Sequence, residues 1–132
     1  MRFLFPLGRV LFALIFVVAA PRHFTREGIR HAEDLGVPAA EALVPLSGLM
    51  ALAGGISVAV GFKTRWGAWT LVGFLVPVTF WMHAYWRLYD LEAIHVQQAL
   101  FAKNLSMLGA ALLISQFGAG PISIDERREH GT

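Results

Sequence analysis

The sequence predicts an all-α integral membrane protein, an antiparallel bundle of four spanning helices, and three observations lead there. Of 132 residues, 56% are hydrophobic and only 15% charged, against about 25% charged in an ordinary soluble domain. Eighteen of the twenty charged residues fall at Arg2, between Arg22 and Glu41, at Lys63 and Arg65, between Arg87 and Glu92, and between Asp125 and Glu129. The four apolar intervals left between them each approach or exceed the ~20 residues that cross ~30 Å of hydrocarbon. One membrane domain over residues 1–132 is the expectation.

The first span covers about residues 3–20. Val18-Ala19-Ala20 also has the small-residue look of a signal-peptide cleavage site, but Pro21 follows it poorly and three more spans come after. Residues 21–42 form a charged loop in which a short interfacial helix, about 25–35, is broken by Gly36-Val37-Pro38. The second span, about 43–62, carries Ser47, Ala51, Gly55 and Ala59 every four residues. On a helix these small side chains make one packing stripe that lets a neighbouring backbone approach.

Only Lys63-Thr64-Arg65 separates the second span from the third, about 66–86, which forces a tight hairpin. Pro77 inside the third span removes a backbone donor. Trp66 at one end and Trp81, Tyr85 and Trp86 at the other lie where interfacial aromatic belts form. The fourth span, about 96–118, ends before a polar tail, 119–132, that Pro121 introduces.

An even number of spans puts both termini on one side with the Lys63/Arg65 hairpin. That side holds six Lys and Arg residues against five on the other, so the positive-inside rule points to cytoplasmic termini by a margin of one. The membrane supplies lipid as one partner, and other membrane subunits or a second copy are the protein partners to expect. Basic residues scattered among acids, with the aromatics inside apolar runs, make no nucleic-acid footprint. The lack of cysteine excludes thiolate metal sites and thiol redox chemistry. No nucleophile–base pair, phosphate loop or paired intramembrane carboxylates appear, so no catalytic residue can be named.

Two charges remain inside spans, Arg9 and Lys103, and a charged side chain at a helix centre costs ~2.5–3.5 kcal/mol on insertion scales. Arg9 is close enough to its end to snorkel to phosphates. Lys103 has Asn104 beside it and Gln97 and Gln98 a turn or two earlier. The topology brings that level together with Glu41, His83, Tyr85, Trp86, Glu92 and His95, with Glu41 or Glu92 available to pair with Lys103. If their faces converge, His83, Trp86, Lys103 and Asn104 form a mouth suited to the headgroup of a quinone or another amphipathic small molecule; otherwise the set is an interfacial girdle of satisfied polar groups. His23, Glu27 and His31 recur every four residues, but Gly28 and the loop setting favour a solvated face, so no metal site is expected.

The order of motifs resembles the DoxX family of small four-span bacterial membrane proteins. The resemblance rests on Gly8-Arg9-Val10-Leu11, Leu35-Gly36-Val37-Pro38, Gly54-Gly55 with Gly61, and the basic hairpin to Arg65. It continues through Phe80-Trp81, His83 and Trp86, then Phe101, Lys103-Asn104-Leu105 and Gly109, and ends in Gly118-Ala119-Gly120-Pro121 leading to Ser123-Ile124-Asp125. It implies a four-helix bundle in the cell's inner membrane, and a link, known for some relatives, to redox assemblies that include a thiosulfate:quinone oxidoreductase. It also implies roles for Arg9, Lys103 and Asn104. One departure stands out: family members often carry Glu shortly before the paired glycines, where this chain has Ala51. The functional expectation is a subunit of a quinone-linked redox complex, with quinone as the one cofactor to consider; the alternative is a non-catalytic assembly subunit packing through the span-two stripe.

Overall fold

A computed structural model describes residues 1–131 as six α-helices. Four, with the 3₁₀ turns that continue two of them, are long and apolar enough to cross a membrane: α1 (Leu4–Ala19), α3 (Ala40–Val60), α4 (Thr64–Met82) and α5 (Leu91–Phe117). The protein is thus an all-α, four-span membrane protein. Two short helices, α2 (Arg26–Asp34) and α6 (Ile124–His130), lie outside the spans, and 3₁₀ turns at Ala20–Phe24 and Tyr85–Arg87 extend α1 and α4 at one end of the bundle.

Local chemistry explains the boundaries, including those that differ from the sequence expectation. The Thr25 hydroxyl accepts from the Gly28 N–H and starts α2. Helix α3 begins three residues before the expected second span, so Glu41 lies in its first turn, where a carboxylate suits the helix dipole. It stops at Gly61, whose φ of +71° is the left-handed conformation glycine adopts without strain. Helix α5 begins five residues early because the Asp90 carboxylate accepts from the Ala93 N–H at 2.8 Å. The expected tail contains α6, started by Ser123, whose hydroxyl accepts from the Glu126 N–H.

Helix α1 packs on α3, α3 on α4 and α4 on α5, so α3 and α4 are the central pair. Glycine sets how closely they approach. A Cβ on Gly55 would lie 3.1 Å from Val17 and 3.2 Å from Phe16 of α1, while one on Gly54 would lie 2.9 Å from Leu71 of α4. Gly67 of α4 faces back toward Ser57 of α3 in the same manner. Ala51 is buried and the Ala59 carbonyl receives a bond from α1, so the small-residue stripe is taken up inside the chain. Ala13, Phe16, Val58, Leu71, Phe74 and Leu75 fill the core. Leu7, Leu11, Leu14, Leu49 and Leu113 stay exposed, as suits faces solvated by lipid tails.

Candidate functional site

The two ends of the bundle carry different polar chemistry. At the end with both termini, Arg9 is 7% exposed, so it does not snorkel. Its Nε donates to the Ala59 carbonyl at 3.3 Å, and its two terminal nitrogens donate to the carbonyls of Ala119 and Ile122. All three acceptors are backbone oxygens, one at the end of α3 and two in the strap between α5 and α6. Gly61 leaves room for this arrangement, since a Cβ there would lie 3.0 Å from the guanidinium carbon.

Asp125 ties the same strap to the α3–α4 hairpin. One carboxylate oxygen accepts from the Lys63 N–H at 2.7 Å, and the other accepts from the Thr64 N–H at 2.9 Å and the Thr64 hydroxyl at 2.8 Å. Partial burial alone would raise the Asp125 pKa, but the Thr64 and Lys63 hydrogen bonds and nearby Arg128 together hold it below the ordinary aspartate value. The Asp125 N–H completes the joint by donating to the Gly61 carbonyl. Ile122, a β-branched residue, is held at φ +56° between two of these bonds: its N–H meets Glu126 and its carbonyl meets Arg9. This end is saturated and structural.

At the opposite end, α2, α3, α4 and α5 enclose a cavity of about 530 Å³, within the range of small-molecule sites. Its walls are mostly apolar, with Leu43, Met50, Phe74, Val78, Trp81 and Leu100 among them, and its polar groups are few. The Ser47 hydroxyl donates to the Val44 carbonyl at 2.7 Å, so its oxygen accepts from His23 Nδ1 at 2.9 Å. That assigns the His23 proton to Nδ1 and leaves a lone pair on Nε2. His83 Nδ1 lies 2.8 Å from Gln97 Oε1, the same arrangement on the opposite wall, with the Gln97 amide hydrogens as further donors. The cavity can therefore present imidazole acceptors and an amide donor in an apolar chamber.

The residues expected to share a mouth separate into three groups. His83 and Gln97 meet in the cavity. Trp86 instead joins an aromatic cluster, with its ring centroid 6.5 Å from Phe80, 5.3 Å from Tyr85 and 5.8 Å from Phe101. Asn104 is buried within α5, and Lys103 is exposed on it; neither lines the cavity. Glu41 and Glu92 are exposed, and among the described residues the ion pairs are Arg2–Glu126 and Arg22–Glu27, so neither acid pairs with Lys103. His23 and His31 do not share a helix face, because the chain turns at Thr25 between the 3₁₀ segment and α2. His23, Ser47 and Trp81 are the cavity residues that spacing did not single out as ligands. The usable signal for Ser47 is polarity inside an apolar run, where it otherwise reads only as a small packing residue.

Comparison with known proteins agrees with this architecture. The DoxX family model matches residues 4–84, which include α1 to α4. The inner membrane protein YqjF of Escherichia coli is 31% identical over 120 residues, covering 89% of this chain and 86% of the relative. The inner membrane protein YphA of the same organism is 28% identical over 123 residues, 92% of this chain and 87% of the relative. The ER-derived vesicles protein ERV29 of Saccharomyces cerevisiae is 30% identical over 81 residues, 61% of this chain but 26% of that protein. No solved structure matches.

Proposed function

Because the chain belongs to the DoxX family of membrane proteins, we propose that it serves a quinone-linked redox complex as an inner-membrane subunit with cytoplasmic termini, and that the headgroup site is the cavity at the His83–Gln97 pair. The carrying observation is that cavity: apolar, of small-molecule size, and furnished with the lone pairs and amide donor that an amphipathic ring with oxygen substituents needs. A bound quinone would supply two-electron chemistry coupled to proton exchange at its ring oxygens. The chain's own part is to bind and orient. His83 holds Gln97 so that the amide hydrogens donate to a ring carbonyl of the quinone, the His83 Nε2 lone pair would accept from a hydroxyl of the reduced ring, and Phe74 and Trp81 present aromatic surface that excludes water. Placing the site at His83 and Gln97 moves it away from Lys103 and Asn104, which lie outside the lining.

A short-chain benzoquinone added to purified protein should quench Trp81 fluorescence saturably. His83→Ala should weaken binding at least ten-fold, whereas Lys103→Ala should leave it unchanged. Absence of saturable binding to the wild type overturns the reading.

One observation favours the second reading, an assembly subunit. Lys103 is the thirteenth residue of the 27-residue α5, exposed near its middle with no ion pair among the described residues. A partner helix carrying a carboxylate would relieve that cost. The span-two stripe is already occupied within the chain, so the outer face of α5 takes its place as the contact. Lys103→Leu should then remove co-purifying membrane proteins; an unchanged complex overturns this reading.

A further inference from the structure

The mouth of the cavity has a charge pattern that the headgroup site does not use. Among the described residues no carboxylate lines the 530 Å³ chamber, whose ionisable lining residues are Arg22, His23, His31 and His83. Directly beside it lies a cleft of about 340 Å³ that shares Arg22 and His31 and adds Arg26 and Arg30, with Glu27 and Asp34 as its acids among the described residues. Glu27 leans on Arg22 at 3.6 Å, but both side chains are largely in solvent, so the pair is weak and easily exchanged. Three arginines therefore sit on the 3₁₀ turn and α2, at the level where the spans emerge. An apolar chamber opens next to them.

We propose that this mouth holds the headgroup phosphate of an anionic phospholipid, with one acyl chain laid in the apolar chamber. Guanidinium groups match phosphate oxygens in fixed, paired geometry, and basic pockets between spanning helices are suited to anionic headgroups. The amphipathic placement of α2 supports the same reading. Ala32 is buried toward the bundle while Arg26 and Arg30 are exposed, together with Glu27, Glu33 and Asp34, so the helix turns a charged face outward beside the mouth. The chain wall is supplied by α3, α4 and α5, through Leu46, Met50, Val78 and Leu100. The lipid and the headgroup ligand of the preceding section then compete for one chamber while resting on different residues. The arginines belong to the lipid, and His83 with Gln97 to the ring.

Native mass spectrometry of the full chain in a neutral detergent tests this with phosphatidylglycerol and phosphatidylcholine of the same chain length. Phosphatidylglycerol should be retained one to one, and phosphatidylcholine at least ten-fold more weakly. The variant Arg26→Gln with Arg30→Gln changes only exposed side chains outside the chamber lining and should lose the retention at least ten-fold while keeping benzoquinone quenching. Gly73→Leu, which fills the chamber beside Met50, should reduce it as well. Equal retention of the two lipids, retention by the double arginine variant, or displacement by millimolar inorganic phosphate as effective as by phosphatidylglycerol overturns the proposal. Loss of benzoquinone binding from the wild type with lipid selectivity intact overturns the headgroup reading alone.

Discussion

The two ends of the bundle solve the problem of polar groups at a membrane boundary in opposite ways. At the terminal end each of the three guanidinium nitrogens of Arg9 donates to a backbone carbonyl, and Asp125 is surrounded by three donors. At the other end the imidazoles of His23 and His83 each use one nitrogen on a neighbour and keep the other. A saturated network holds the fold, and a half-saturated one is available for a ligand. The contrast teaches that an intramembrane charge is a poor guide to function by itself, because Arg9, the most conspicuous charge in the sequence, is fully occupied with architecture.

Several substitutions would break or sharpen this contrast. Arg9→Ala should have the largest effect, because it strands the carbonyls of Ala59, Ala119 and Ile122. We expect a loss of ~3 kcal/mol or more, read as a lower melting temperature in detergent together with rapid proteolysis of the strap after Gly118. Gly55→Leu drives a side chain into Phe16 and Val17 of α1 and should cost about 1–3 kcal/mol as overpacking, again visible in thermal unfolding.

Asp125→Asn should cost about 1–2 kcal/mol through the weakened cap of α4, and it also carries a pH signature. The Asp125 carboxyl is held below its ordinary value, so its contribution is complete above the unfolded-state value and fades as pH falls through the folded one. Stability of the wild type should therefore drop in acid by more than that of Asp125→Asn; parallel acid curves would count against the assignment. The smallest change belongs to Lys103→Ala, which touches neither network and should shift stability by no more than ~0.5 kcal/mol.

The four spans were legible because hydropathy and charge placement report burial in lipid directly, and Thr25 gave the start of α2 to within a residue. The early starts of α3 and α5 were harder to see, since Glu41 and Asp90 read as loop charges until they are seen serving helix N-termini. The helix in the tail had a visible cue, Ser123 followed three residues on by Glu126, the pattern of a capping box. The candidate site was only half legible. Antiparallel topology correctly brings His83 to the level of Gln97, but level alone does not give the direction in which a side chain points. Rotation about α5 sends Asn104 inward, Lys103 outward and Gln97 to the cavity, a distinction of about 100° per residue that is hard to read where polar residues are scattered around the helix and mark no single face.

Arg9 reads its partners through main-chain oxygens alone. Such recognition is blind to side-chain identity at positions 59, 119 and 122, so what constrains Ala59 is its packing on the core and what constrains Ile122 is its backbone conformation, not the lock itself. What must be kept is chain geometry: the number of residues from the end of α5 to Ser123, and the left-handed turn at Ile122. For engineering, a fusion appended after His130 leaves the guanidinium covered, whereas a truncation before Ala119 leaves a full positive charge with one acceptor inside an apolar bundle. The boundary between a tolerated tag and a misfolded protein thus falls between Ala119 and His130.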